Sequence, residues 1–529
     1  MKNKILLLLG LFTLASCSDF LDRDPGDELS PNTFWKTEQD AKLNLVGCYS
    51  TFESGYNIMY WDCASDNAYN FHKHEGYRVL GSSTMSPADP GASWFSFGGI
   101  HACNEFLAMQ DQVDFKTEGL KEQYEAEIRA IRAYHYFIRS TRYGDYPLFS
   151  ENYENPEAAK VERTPKAQVN EFIEQELKEI IQILPKKNDS GRFNKAAAQA
   201  LLMRFYLFNE KYEEALATAN SIKGYSMPKL SFEESFLMDN IHNSEMILTR
   251  DYVLNSHQMD FTAFLPNSIG GWSSVVPTQS LVDAFEMQDG KTIKEALELG
   301  EYDPKNPYIN RDPRLRATII YPGQNYNGAI FDSLDPASKD YADNANNASK
   351  TGYNFKKFYS NLDQFGGVYW NTKQSFPIFR YAEVLLTIAE SKIELNQIDD
   401  ELYEAINQVR LRAEMPKVDR LKYNTQESLR ELVRRERRVE FAMEGLRRED
   451  VVRWGIGEDT MGENLKTCPY GAVNHGDVVN EETGDVSVTL DKESKLIEER
   501  YFTKGKSELL PIPQTAMDKN KKLKQNPGY

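Results

Sequence analysis

The stretch KAAAQALLMRFYLFNEKYEEALATANSI, residues 195–222, restricts the choice of fold more than any other. Its apolar residues recur at the three- and four-residue spacing of a helix face. The pattern breaks near Asn209–Lys211, so the stretch reads as two helices joined by a short turn. Leu202, Tyr206 and Ala215 sit where a tetratricopeptide-like helix hairpin carries its packing residues. Such a hairpin cannot bury its apolar faces alone and must stack on others like it.

The same pattern returns elsewhere. EAEIRAIRAYHYFIRSTRYGDYP (Glu125–Pro147) places Ile128, Ile131, Tyr134, His135 and Ile138 at helical spacing, and Gly144 and Pro147 stop it. Arg380–Pro416 reads as another pair, and Glu427–Gly455 as one long helix or a pair. The pairs are unevenly spaced, which excludes a simple tandem array. Two blocks of a different kind lie between them, Tyr56–Gly99 and Asp239–Ser375, rich in Gly, Asn, Asp and aromatics. Loops of this length usually carry function, so the chain reads as a mainly α scaffold of helical hairpins with a loop-rich working face.

At the N-terminus, Lys2 and Lys4 precede an apolar run, Ile5–Leu14, too short to span a bilayer and suited to a secretory signal. The run ends in Leu-Ala-Ser-Cys, which resembles a bacterial lipobox. Residues 1–16 are therefore expected to be removed and Cys17 to be acylated, with several acyl chains giving a firm anchor. Asp19, Asp22 and Asp24 follow, resembling a surface-export signal. No later segment is apolar enough to span a membrane. The formal net charge of -18 argues against nucleic acid and against charge-driven docking on anionic lipid. Cys48, Cys63, Cys103 and Cys468 show no metal-finger spacing, and both free thiols and a disulfide remain open.

Catalytic signatures are missing: there is no HExxH, GxSxG or P-loop. His72 and His74 alternate in NFHKHEG, but two histidines alone make a poor metal site. Glu436, Glu440 and Glu444 share a helical face in a way that could imitate a glycosidase carboxylate pair. Six arginines crowd around them, and ion pairing on a scaffold helix accounts for them better. No cofactor is expected and no metal ligands stand out; a calcium site among the acidic loops stays open, although no DxDxDG run marks one. The aromatics are more informative. A sugar ring offers a C–H face to an aromatic plate and a hydroxyl rim to Asp, Asn and Arg. Tyr69 and Phe71 in SDNAYNFHK, with Asp66 and Asn70 beside them, Trp94 in GASWFSF and Trp272 in GGWSS are the candidates.

Several segments taken in order resemble the SusD/RagB family of Bacteroidetes outer-membrane lipoproteins. They are CSDFLD, EIRAIRAYHYFIRSTRYGDYPL, VPTQSLVDAFEMQDGK (Val276–Lys291), NPYINRDPRLRATIIYPG (Asn306–Gly323), RYAEVLLTIAES, INQVRLRAEMP, RRERRVEFAMEGLRREDVVRWG and the terminal LLPIPQTAMDKNKKLKQNPGY. The resemblance implies four tetratricopeptide-like pairs with a loop-rich half. It also implies one unit over 17–529, whose N-terminal part runs to about residue 310 and whose C-terminal part spans 311–529. It implies a non-enzymatic protein that binds oligo- or polysaccharide and hands it to a SusC-like TonB-dependent transporter. The alternative within the family is a RagB-like binder of peptides or other nutrients. Ser65-Asp66 followed by Tyr69 and Phe71 is similar in place to a sugar-stacking loop of the family's starch-binding member, although tryptophans stand there in that member. Trp272 resembles a second stacking tryptophan that follows a glycine. The RDPR and TGYNF segments, residues 311–314 and 351–355, read as structural. Which glycan is bound is not written in these motifs.

Overall fold

The computed structural model describes residues 35–92, 95–153, 155–344 and 347–529. Cys17 and Trp94 lie outside them. The chain is mainly helical. Its longer helices are α1 (Glu38–Ser50), α2 (Gly98–Met109), α3 (Leu120–Tyr143), α4 (Lys166–Ile183), α5 (Lys195–Phe208), α6 (Tyr212–Ser221), α7 (Tyr381–Glu394), α8 (Asp400–Arg412) and α9 (Gln426–Glu440). They pack in chain order: α2 on α3, α3 on α4, α4 on α5, α5 on α6, α6 on α7, and α7 on both α8 and α9. The α5–α6 hairpin turns at Asn209–Lys211, with Glu210 in the left-handed region at φ 56°. Leu202, Tyr206 and Ala215 are all buried between the helices. The stretch after Glu427 is a pair: α9 ends at Glu440, and a short helix, Arg447–Arg453, follows.

The helix ends follow from their residues. Thr425 caps α9 by accepting the Ser428 N–H, and Thr37 does the same for α1 through Asp40. Gly144, at φ 72°, ends α3 where an L-residue would be strained. The C-terminal tail secures that end. Asn526 Nδ2 donates to the carbonyls of Tyr143 (3.0 Å) and Leu510 (2.7 Å), and its Oδ1 accepts from Arg163 (2.6 Å).

Strands are short and paired two by two. β1 (Ala68–Asn70) pairs antiparallel with β3 (Val275–Pro277), β2 (Met246–Arg250) with β4 (Phe376–Arg380), and β5 (Tyr470–Asn480) with β6 (Asp485–Lys492). The β2–β4 pair joins the loop-rich block to the start of α7.

Where α8, α9 and β4 meet, charge is buried and paired. Arg314 bonds Asp312 (2.8 Å), Glu436 (2.5 Å) and Glu440 (3.1 Å). Arg380 bonds Glu245 (2.7 Å), Glu440 (2.6 Å) and Glu444 (2.7 Å). Arg412 bonds Glu245 and Glu440, and Lys357 bonds Glu444 at 2.6 Å. Asp312 also caps the helix Pro313–Thr318, and Arg311 donates to the carbonyls of Val282, Phe285 and Pro307. The RDPR segment thus holds backbone and helix termini together. The four cysteines among the described residues are buried free thiols.

Candidate functional site

Three loops meet on one face. β1 and β3 bring the first two together, with Ala68 opposite Pro277, Tyr69 opposite Val276 and Asn70 opposite Val275. Asn70 Nδ2 then donates to the Ser274 carbonyl (2.8 Å) and to Glu75 (2.5 Å), and the Ser274 hydroxyl donates to the same carboxylate (3.0 Å). The third loop joins through Asn267 Nδ2 to the Lys339 carbonyl (2.9 Å) and the Ser268 N–H to Asp340 (3.0 Å).

This framework presents Trp272. Gly270 is left-handed at φ 91°. A Cβ at Gly271 would lie 2.1 Å from the Leu265 carbonyl oxygen, so only glycine fits there. Ser273 is also left-handed, at φ 45°, a strain that Asn354 supports by donating to the Ser273 hydroxyl at 3.1 Å. Between these residues the Trp272 N–H is tied to the Thr262 carbonyl (2.9 Å), while its side chain remains 45% exposed. His72 Nε2 lies 3.3 Å from the Trp272 carbonyl. The Phe71 and His72 rings are 5.3 Å apart, and the His72 and His74 rings 5.7 Å. Lys350 Nζ lies 4.7 Å from the Phe71 ring centre.

Three sequence candidates require correction as ligand contacts. Tyr69 is 1% exposed, packed with Val276 and Leu465, with the Arg78 and Arg500 guanidiniums 5.8 and 5.9 Å from its ring centre. Asp66 is 4% exposed and held in both oxygens by Arg447 (2.7 and 2.8 Å), with Arg438 at 3.0 Å. Burial alone would raise its carboxyl pKa; Arg438 and Arg447 outweigh that and hold it far below the usual carboxylate range. Asn70 is buried, and its Nδ2 is taken up by the Glu75–Ser274 clamp. The physical reason is one of geometry: β1 is covered on both sides, so its polar residues serve the interior. Phe71 stays at the surface, half-buried. Among the described residues no group of three metal-ligating side chains joins His72 and His74.

Sequence reasoning passed over Trp370, which is 59% exposed. Among the described tryptophans only Trp272 and Trp370 are more than a third exposed; Trp35 and Trp61 are core, and Trp454 donates to Glu390. Trp370 follows a Gly-Gly pair, Gly366-Gly367, with Val368 and Tyr369 between, in GGVYW, a pattern related to GGW. Its loop is laced to the same backbone as Trp272: the Phe261 N–H donates to the Tyr369 carbonyl (2.9 Å), next to the Thr262 carbonyl that holds Trp272.

Glu440, the candidate for glycosidase chemistry, is fully buried and held by Arg314, Arg380 and Arg412. Burial opposes its ionisation, and the three guanidiniums, Arg412 foremost, reverse that and keep it well below the usual range. A carboxyl sealed and charge-matched in this way cannot reach a glycosidic oxygen.

Comparison with known proteins agrees with this architecture. Residues 19–207 match a SusD-like profile described as starch-binding and associating with the outer membrane. A SusD-like protein of Formosa agariphila is 25% identical over 494 residues, covering 86% of this chain and 90% of that protein. The starch-binding protein SusD of Bacteroides thetaiotaomicron is 24% identical, covering 90% of this chain and 86% of its own length. A crystal structure of a SusD-like carbohydrate-binding protein from Bacteroides fragilis superposes with a TM-score of 0.80 at 27% identity, over 93% of this chain and all of that one. The profile of the SusD family itself matches residues 238–529, more than half of the sequence, and the chain belongs to that family.

Proposed function

We propose that this protein is a non-catalytic, surface-exposed outer-membrane lipoprotein, anchored through Cys17. It captures oligo- or polysaccharide and delivers it to a SusC-like TonB-dependent transporter. The observation that carries the reading is Trp272, a large apolar plate kept at the surface by a backbone that only glycine permits at Gly271. Leaving an indole in water forfeits the gain of burying it, and a stacking ligand restores that gain. The family's carbohydrate-binding relatives give the ligand class, and among the described residues no helix is long and apolar enough to cross a membrane. A site built on an exposed plate binds weakly, at micromolar to millimolar levels, about 4 to 8 kcal/mol. Weak binding suits hand-off, because the cargo must be released.

The test is native electrophoresis of the protein lacking residues 1–17 in gels cast with a panel of polysaccharides. One polymer is expected to retard it, and Trp272→Ala to abolish the retardation. Retardation that survives Trp272→Ala would move the site elsewhere, and no retardation by any polymer would remove the glycan reading.

A further inference from the structure

On the face that carries Trp272, Phe71 does not offer a free plate. Lys350 Nζ sits 4.7 Å from its ring centre, while the ring packs against the Tyr69–Val276–Leu465 cluster. A sugar stacking on Phe71 would have to displace an ammonium already held by the ring's negative face. Lys350 is itself fixed, donating to the Asn344 carbonyl. It is partly buried, and desolvation lowers its pKa. A half-desolvated ammonium normally has a carboxylate beside it. Among the described residues no direct ion pair includes Lys350, nor Lys73 or Lys339 on the adjoining loops, and the Asp343 carboxylate acts on Lys350 only from farther off, partly offsetting the desolvation.

Most acids of the same loops are engaged by the protein, whereas Asp335 is exposed and accepts only the Ala337 N–H of its own turn. Glu75 is clamped by Asn70 and Ser274. Asp340 is buried and accepts the Ser268 N–H. Asp343 pairs with Lys495 at 2.5 Å and accepts the Tyr470 hydroxyl at 3.0 Å. The residues from Pro266 to Ser274 carry no charge at all. On this face Asp343 is already paired with Lys495, and Glu75 and Asp340 are turned to neutral protein donors, while Lys73, Lys339 and Lys350 stand outside any direct ion pair.

Resting on the glycan-binding reading, we propose that the ligand is an acidic glycan, bearing uronate carboxylates or sulfate esters. Lys350 is the ion partner of a charged sugar whose neighbour stacks on Trp272. Lys73 and Lys339 add positive field at the rim, which speeds capture more than it tightens binding.

The decisive measurement is affinity electrophoresis and calorimetry of the protein lacking residues 1–17. The probes are polygalacturonate and carrageenan, a galactan with sulfate esters and no uronate, against neutral laminarin and galactan. An acidic polymer is expected to bind about tenfold more tightly than the neutral ones, and which of the two does so separates uronate from sulfate. Lys350→Met keeps the aliphatic stem and should cost about tenfold on that polymer with no change on neutral ones, whereas Lys350→Arg should restore binding. Binding should weaken at high salt. Trp272-dependent binding of a neutral polymer, unchanged in Lys350→Met, would overturn this inference and leave glycan binding standing. Acidic-polymer binding that survives Trp272→Ala would show charge attraction without a site and overturn it too. No binding to any of the four, in a variant set with unchanged circular dichroism, would overturn this inference and weaken the glycan reading with it.

Discussion

Two regions of this molecule use the same residue types to opposite ends. In the centre, Arg314, Arg380 and Arg412 meet Glu245, Glu436, Glu440 and Glu444; all seven are paired, and all but the partly buried Glu444 are buried. Aromatic rings there, such as Phe236 and Phe441, lie against the Arg380 guanidinium and are buried too. On the loop face, Trp272 and Trp370 stand in solvent and Lys350 has a ring but no carboxylate in direct contact. The centre matches its charges internally and is sealed from solvent, whereas the face leaves an indole and an ammonium within reach of one; if the proposed function holds, that difference separates charge used for folding from charge used for recognition.

The comparison breaks most visibly if a partner is removed from the centre. Glu440→Gln leaves three buried guanidiniums short of charge and is expected to cost roughly 3–5 kcal/mol of stability, read as a lowered urea midpoint. Its glycan affinity below that midpoint should match the parent's. A stable Glu440→Gln protein that no longer binds glycan would place a ligand contact in the centre and undo the distinction.

Asp62 sharpens the same contrast from inside. It is 1% exposed and accepts the Met443 N–H at 2.6 Å, and no guanidinium pairs with it among the described residues. Desolvation raises its pKa to about 7, opposed by the Met443 N–H and by Lys357 and reinforced by Glu444. With a folded pKa above the unfolded value of about 4, the native state holds a proton that the unfolded chain has released. Stability from this group is therefore present below about pH 4 and lost as pH rises toward 7 and beyond. Asp62→Asn keeps an acceptor for Met443 and removes the titration. It should be about 1 kcal/mol more stable than the parent at pH 8 and no more stable at pH 4. Parallel stability curves for the two proteins across that range would mean that Asp62 is not perturbed.

The helical scaffold was readable because its signal is local. The 3.6-residue stripe of residues 195–222 and the break at Asn209–Lys211 depend only on neighbours in sequence. Trp272 was readable for the same reason, since two glycines in a row before an indole mark a turn that displays it. Asp66, Tyr69 and Asn70 were misread because what buries them is remote: Arg447 lies 381 residues from Asp66, and Val276 closes over Tyr69 only once β1 and β3 pair. A three-residue strand covered on both sides has no polar–apolar alternation to reveal its fate. Lys350 could not be singled out at all, because its significance is a contact with a ring on a loop far away in sequence.

The smallest expected effect asks how far the face extends. Trp272 and Trp370 are on loops tied to the two sides of the same backbone at Phe261–Thr262. If both indoles are plates of one site, affinity in the parent should rise with oligosaccharide length until the chain reaches the second plate. Trp370→Ala should then lose about threefold on long chains, about 0.7 kcal/mol, and nothing on the shortest ones. Its stability should stay within about 0.5 kcal/mol of the parent's, because an exposed side chain packs little. Equal loss at every length would make Trp370 part of the same subsite as Trp272. No loss at any length would confine the glycan to Trp272 and Lys350.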